Sequence, residues 1–189
     1  MNGIIIEPTK SIYWAIPKNA CTAMKVHFCK LLEIAVPDEN PHIAPFNKTE
    51  APIKGYRNWA IVRNPFARLY SLWANKIAPG HPEHPLFINH IDQNVFYALM
   101  NEVYSGMSFE DFTKVVLESK CRDNHWKPQA EQIPDNCETF KLEEVGGLLS
   151  SMLPVLNGDN QNNWEAAYTQ ELLDLVYVYY KNDFKILGY

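Results

Sequence analysis

Twice in its N-terminal half the chain passes from a short apolar run, through a cation-bearing turn, into an amphipathic helix. The first pass is Ile12-Tyr13-Trp14-Ala15-Ile16, a tight loop from Pro17 to Thr22, and a predicted helix from about Ala23 to Ala35. The second is Asn58 to Val62, the turn Arg63-Asn64-Pro65, and a helix from about Pro65 to Ile77. Near-continuous apolar runs of this length read as buried strands. Met24, Phe28, Leu31, Leu32 and Ala35 share one helical face, as do Phe66, Leu69, Tyr70, Trp73 and Ile77. Pro65 suits a first helical turn. Strands alternating with helices predict an α/β fold with a central, mainly parallel sheet flanked by helices.

The remaining sequence extends this pattern. Pro37, Pro41, Pro45 and Pro52 make 36–54 mostly loop. Residues 79–90, with their prolines and histidines, read as a surface loop, and a helix is expected from Gln93 to Tyr104. Ser108-Phe109-Glu110-Asp111 resembles a capping box that opens a helix to about Ser119. Thr139 to Leu142 is a candidate third strand, followed by a helix from Glu143 to Met152 and a polar loop over 157–163. Thr169 is placed to cap a last helix with a stripe of Leu172, Leu175, Val176 and Tyr179. At 189 residues the chain fits one domain, 1–189, able to bury a sizeable core.

Composition narrows the functional classes. A net charge of −5 disfavours nonspecific nucleic-acid binding, so any anion site must be a local cluster of cations. No apolar run reaches the roughly 18 residues of a membrane span. Glu7, Lys10 and Lys18 break the N-terminal stretch, which does not read as a signal peptide, and a cytoplasmic location follows as the default. Cys21, Cys29, Cys121 and Cys137 form no CxxC pair and are expected as free thiols. No metal-ligand spacing is present, and no metal is expected.

The chemistry sits in the two turns. Pro17-Lys18-Asn19-Ala20-Cys21-Thr22-Ala23-Met24-Lys25 lies between a buried strand and a helix. Backbone N–H groups and the positive helix end there favour an anion, and Lys18, Thr22 and Lys25 add two cations and a hydroxyl. The bland alternative is a strand–turn–helix with a solvated lysine. The pattern GxxxxGK[ST] is absent, which argues against an ordinary ATPase. Arg63-Asn64-Pro65-Phe66-Ala67-Arg68-Leu69-Tyr70-Ser71 follows the second strand, with Arg63 at its end and Ser71 two turns into the helix. Parallel strands open onto one edge, where ligands bind, so this pair could clamp a second phosphate; the bland alternative is a surface ion-pair partner at Arg63 and a helix filler at Ser71.

Together the segments resemble the donor-binding motifs of sulfotransferases, PKxxxT for a 5′-phosphosulfate and RxPxxRxxS for a 3′-phosphate. Within that superfamily the chain is similar to the carbohydrate sulfotransferases related to the HNK-1 and chondroitin/dermatan 4-O-sulfotransferases. The shared residues are Pro17, Lys18, Ala20, Cys21, Thr22 and Lys25, then Arg63, Pro65, Phe66, Arg68, Leu69, Ser71, Asn75 and Lys76. Phe109-Glu110-Asp111-Phe112, His125-Trp126 and Asp183-Phe184 extend the likeness toward the C-terminus. The resemblance implies a P-loop NTPase-like three-layer fold and 3′-phosphoadenylyl sulfate (PAPS) as donor. It further implies donor contacts from Lys18, Asn19, Ala20, Cys21, Thr22, Ala23, Lys25, Arg63, Arg68 and Ser71, and a hydroxyl acceptor of the carbohydrate class.

Lys18 is assigned to the bridging and leaving oxygens, where charge grows during transfer. A hydroxyl acceptor calls for a general base, and His42 and His125 are the histidine candidates, with a glutamate base as the alternative. His27 reads as structural, and His81, His84 and His90 as solvated. Two other classes compete: a P-loop phosphotransferase, and a noncatalytic nucleotide-binding module derived from a sulfotransferase. Preference for 3′,5′-ADP over ADP and ATP discriminates the first, and turnover the second.

Overall fold

A computed structural model of the protein describes residues 2–36, 40–78, 103, 106–119, 122–152 and 164–189, with only the backbone described over 148–152. The expected loop 79–90, the helix 93–104 apart from Val103, the loop 157–163, Cys121, His81, His84 and His90 lie outside the described residues. The chain divides into two compact units, Met1–Asn64 with Gln129–Leu156, and Pro65–Pro128 with Asn157–Tyr189.

The first unit is built on a five-stranded sheet of order β3-β1-β2-β4-β5. Its strands are β1 (Gly3–Ile6), β2 (Ser11–Trp14), β3 (Lys48–Thr49), β4 (Arg57–Val62) and β5 (Glu138–Lys141). Helices α1 (Cys21–Leu31) and α4 (Leu142–Met152) belong to the same unit. β2, β4 and β5 are parallel neighbours, as the two strand–turn–helix passes require. β1 adds an antiparallel hairpin on β2, and β3 pairs antiparallel with β1. The hairpin turns through a short 3-10 segment carrying Pro8, and Lys10 takes a left-handed φ of 46°.

Two expectations shift at their ends. The predicted strand Ile12–Ile16 stops at Trp14, because the N–H of Ile16 folds back onto the carbonyl of Trp14 at 3.1 Å. The helix expected to reach Ala35 stops at Leu31. There Glu33 is left-handed, with φ 54°, and donates its N–H to Lys30 O, while Ile34 donates to Cys29 O. This is a Schellman stop with glutamate in the seat that usually takes glycine. Leu31, expected on the buried face, is therefore exposed, while Met24 and Phe28 carry the packing.

Tyr13 lies between Phe28 and Trp59, at centroid distances of 5.3 and 4.7 Å. Ile4, Ile6, Met24, Cys29, Ala44, Phe46 and Ile61 complete that core. All residues of β2 are buried, which is why its sequence reads as apolar rather than alternating.

The second unit is helical: α2 (Pro65–Lys76), α3 (Phe109–Glu118), α5 (Gln170–Tyr179) and α6 (Lys181–Leu187). Both expected caps are present. Ser108 Oγ accepts from Asp111 N at 3.1 Å and Thr169 Oγ1 from Leu172 N at 3.3 Å. Leu69, Leu72, Ile77, Phe112, Val116, Trp126, Leu172, Val176 and Tyr180 form its core. Among the described residues, no helix is long and apolar enough to cross a membrane.

The hairpin leaves no room at Gly3. A Cβ there would stand 2.4 Å from Ile12 Cγ2 and 3.2 Å from the Trp14 indole. Gly3→Ala is predicted to cost about 1–3 kcal/mol, the usual penalty for overpacking. Urea unfolding checks this, and an unchanged midpoint would contradict the packing of β1 on β2.

Candidate functional site

The loop between β2 and α1 is the most strained backbone near the sheet edge. Lys18 has φ 69° and Ala20 φ 58°, both left-handed without being glycine. Each such residue costs on the order of 1–2 kcal/mol and persists only when its surroundings over-determine it. Left-handed residues alternating with ordinary ones turn N–H groups into an anion-binding concavity. The loop runs directly into α1, whose N-cap, Ala20, offers no side-chain hydrogen bond. The first N–H groups, those of Cys21, Thr22 and Ala23, thus enter the helix without a side-chain cap.

Buried amides hold the loop. Asn19 is fully buried and its Nδ2 donates to Ile61 O at 3.0 Å and to Gln129 Oε1 at 2.6 Å. Gln129, also fully buried, accepts from Arg63 N at 3.0 Å and donates from Nε2 to Arg63 O at 2.8 Å. The Arg63 guanidinium donates to Lys18 O at 3.2 Å. The two predicted anion turns are therefore joined at one sheet edge. Gln129 was not legible as a site residue, since nothing in its local sequence marks it.

His42 meets the start of α1. Its Nε2 lies 3.0 Å from Thr22 Oγ1 and its Nδ1 lies 3.1 Å from Lys25 Nζ. An ammonium only donates, so with Lys25 charged, Nδ1 accepts and Nε2 carries the proton toward Thr22. Thr22 then keeps its own hydroxyl proton for another acceptor. Burial draws the Lys25 pKa below the ordinary lysine value; Cys21 pushes it back up and Lys48 pulls it further down. Lys18, Asn19, Ala20, Cys21, Thr22, Ala23, Lys25, His42 and Arg63 thus all belong to the first unit.

The family model of the sulfotransferase family matches residues 2–147, which include every one of these positions. The chain belongs to the sulfotransferase family. No curated protein and no solved structure matches it.

The other predicted residues of this sulfotransferase, Arg68, Ser71 and His125, belong to its second unit. Ser71 is buried on α2. Arg68 is only 1% exposed and donates to Lys127 O at 2.9 Å and to Asn124 O at 2.7 Å. Burial lowers its pKa, against the opposing pull of Tyr180, Asp183, Asp123 and Tyr179. The Tyr180 hydroxyl donates to Trp126 O. Held this way, the segment presents His125 beside the buried Asp123. Asp123 Oδ1 accepts from His125 N at 2.8 Å and meets His125 Nδ1 at 2.5 Å.

The sequence assigns Arg68 to the donor; in the structure its guanidinium bonds include the backbone carbonyls of Lys127 and Asn124. Removing it takes a hydrogen-bond donor away from two carbonyls and unbalances buried charge. Arg68→Ala is predicted to destabilise the protein by about 3–5 kcal/mol in urea unfolding. Unchanged stability with lost 3′,5′-ADP binding would instead make Arg68 a donor contact.

Proposed function

We propose that this sulfotransferase transfers a sulfuryl group from PAPS to a hydroxyl, with a carbohydrate as the acceptor class. The observation that carries the reading is the left-handed Lys18–Ala20 loop, opening an uncapped helix and tied to Arg63. One anion turn suits any nucleotide. Two, joined at one edge, suit a nucleotide phosphorylated at both 5′ and 3′ positions, which is the PAPS pattern. The acceptor class rests on the motif likeness to carbohydrate sulfotransferases alone.

In this reading the loop N–H groups and Thr22 hold the 5′-phosphate, and Lys25 adds charge. Arg63 takes the 3′-phosphate, with Ser71 as the hydroxyl of the same motif. The acceptor oxygen attacks sulfur as its proton passes to a base. The sulfur–oxygen bond to the 5′-phosphate breaks, and 3′,5′-ADP leaves. Lys18 stabilises the charge growing on the oxygen that departs with it.

Of the two histidines, His125 suits the base. Its Nδ1–H on the Asp123 carboxylate fixes the tautomer and leaves the Nε2 lone pair to take a proton. Both ring nitrogens of His42 are engaged by Thr22 and Lys25, which suits a role in ordering the donor loop.

Lys18 acts on charge present mainly in the transition state. Lys18→Ala is expected to slow single-turnover transfer by about two to three powers of ten. Affinity for 3′,5′-ADP should fall far less. His125→Ala should slow transfer by about 10²–10⁴-fold with donor binding intact, and His42→Ala should weaken donor binding instead. Near wild-type transfer by Lys18→Ala rejects its assigned role, and the absence of turnover with any acceptor favours a noncatalytic module.

A further inference from the structure

β5 ends at Lys141, opposite Val62, so the ladder that supports β4 stops one residue short of Arg63. Gln129 takes over there. Its side-chain amide bonds both the N–H and the C=O of Arg63, as a neighbouring strand residue would. The same Oε1 accepts from Asn19, which sits between the two left-handed loop residues. Both lone pairs of that oxygen are used, and the amide cannot be turned over without setting oxygen against Arg63 O. Asn19 is fixed likewise, because its Nδ2 donates to two acceptors.

We propose that Gln129 is a positioning residue that locks Arg63 and the Lys18 loop in one register, so that both phosphates of a bisphosphate nucleotide are held together. The inference rests on the donor reading above. Gln129 is fully buried and touches no ligand itself; it acts through backbone that does. The strained loop has no glycine to relax into, so it depends on this external bracing.

Gln129→Glu tests the role. A protonated glutamic acid reproduces all three bonds, its hydroxyl donating to Arg63 O and its carbonyl accepting from Asn19 and Arg63 N. An ionised carboxylate still accepts but sets negative charge against Arg63 O. Burial raises the pKa of such a carboxyl, so the change falls within about pH 5.5 to 8.5. Calorimetry with 3′,5′-ADP and with 5′-AMP is run over that range on the wild type and the variant, with the melting temperature recorded at each pH. Comparison with wild type at each pH removes the titration of the ligand phosphates.

Near the acidic end the variant should bind 3′,5′-ADP within about threefold of wild type, the scale of a minor hydrogen-bond change. Near the alkaline end it should bind it about ten- to a hundredfold more weakly, with a smaller loss for 5′-AMP. A pH-independent ratio, or equal losses for both ligands in a folded variant, overturns the proposal. Should the variant unfold at high pH, Gln129→Asn answers at one pH. It keeps the amide one methylene short, and a greater loss for 3′,5′-ADP than for 5′-AMP is expected, while equal losses overturn the proposal. A wild type that does not prefer 3′,5′-ADP to ADP defeats the donor reading itself, a result separate from wild-type preference retained unchanged in both variants.

Discussion

Ser11 stands opposite Arg57, Ile12 opposite Asn58 and Tyr13 opposite Trp59, so β2 and β4 run the same way and end at the same edge. Antiparallel pairing of these strands would carry the Lys18 loop and Arg63 to opposite edges. The direction is set by burial: a strand covered on both faces and followed by an amphipathic helix returns most simply as a parallel neighbour. Everything proposed for the donor in the first unit depends on that choice.

Parallel pairing brings the turns to one edge but does not shape them. Shape comes from a small set of buried amides. Left-handed Lys18 and Ala20 are unfavourable taken alone, and the bonds from Asn19 to Ile61 O and Gln129 hold them. A buried amide left unpaired costs more than a paired one contributes, so the network favours one arrangement over its near alternatives. His42 does for the first turn of α1 what Gln129 does for Arg63, fixing Thr22 and Lys25 through a ring whose two nitrogens serve different partners. Within the second unit, Arg68 and Tyr180 grip the backbone of 124–127 and Asp123 grips His125. Gln129, Arg68 and Tyr180 order backbone, whereas His42 orders the side chains of Thr22 and Lys25.

The strands, the helices after them, and the caps at Ser108 and Thr169 were legible because they are local: apolar period, proline position and capping chemistry lie within a few residues. Lys18, Thr22, Lys25 and Arg63 could be picked out as candidates because two turns carried matching motifs. What escaped was long-range or atypical. Gln129 meets partners 66 and 110 residues away in sequence, and its partners at Arg63 are backbone atoms, which leave no mark on residue type. Glu33 stops α1 in a seat where glycine is the usual signal, so the helix read too long. Gly3–Ile6 is short and followed at once by Glu7 and Pro8, and it becomes a strand through pairing with β2. Arg68 sits in a motif position, but its burial could be read only from the packing of α2.

The account stands on the claim that two joined turns select a nucleotide with phosphates in two places. Titration calorimetry of the wild-type protein with 3′,5′-ADP and with ADP tests this most directly. The account predicts that 3′,5′-ADP binds about ten- to a hundredfold more tightly, the scale of one charge-assisted contact, and that Arg63→Ala erases the difference. Equal affinity of the wild type for the two nucleotides would contradict it.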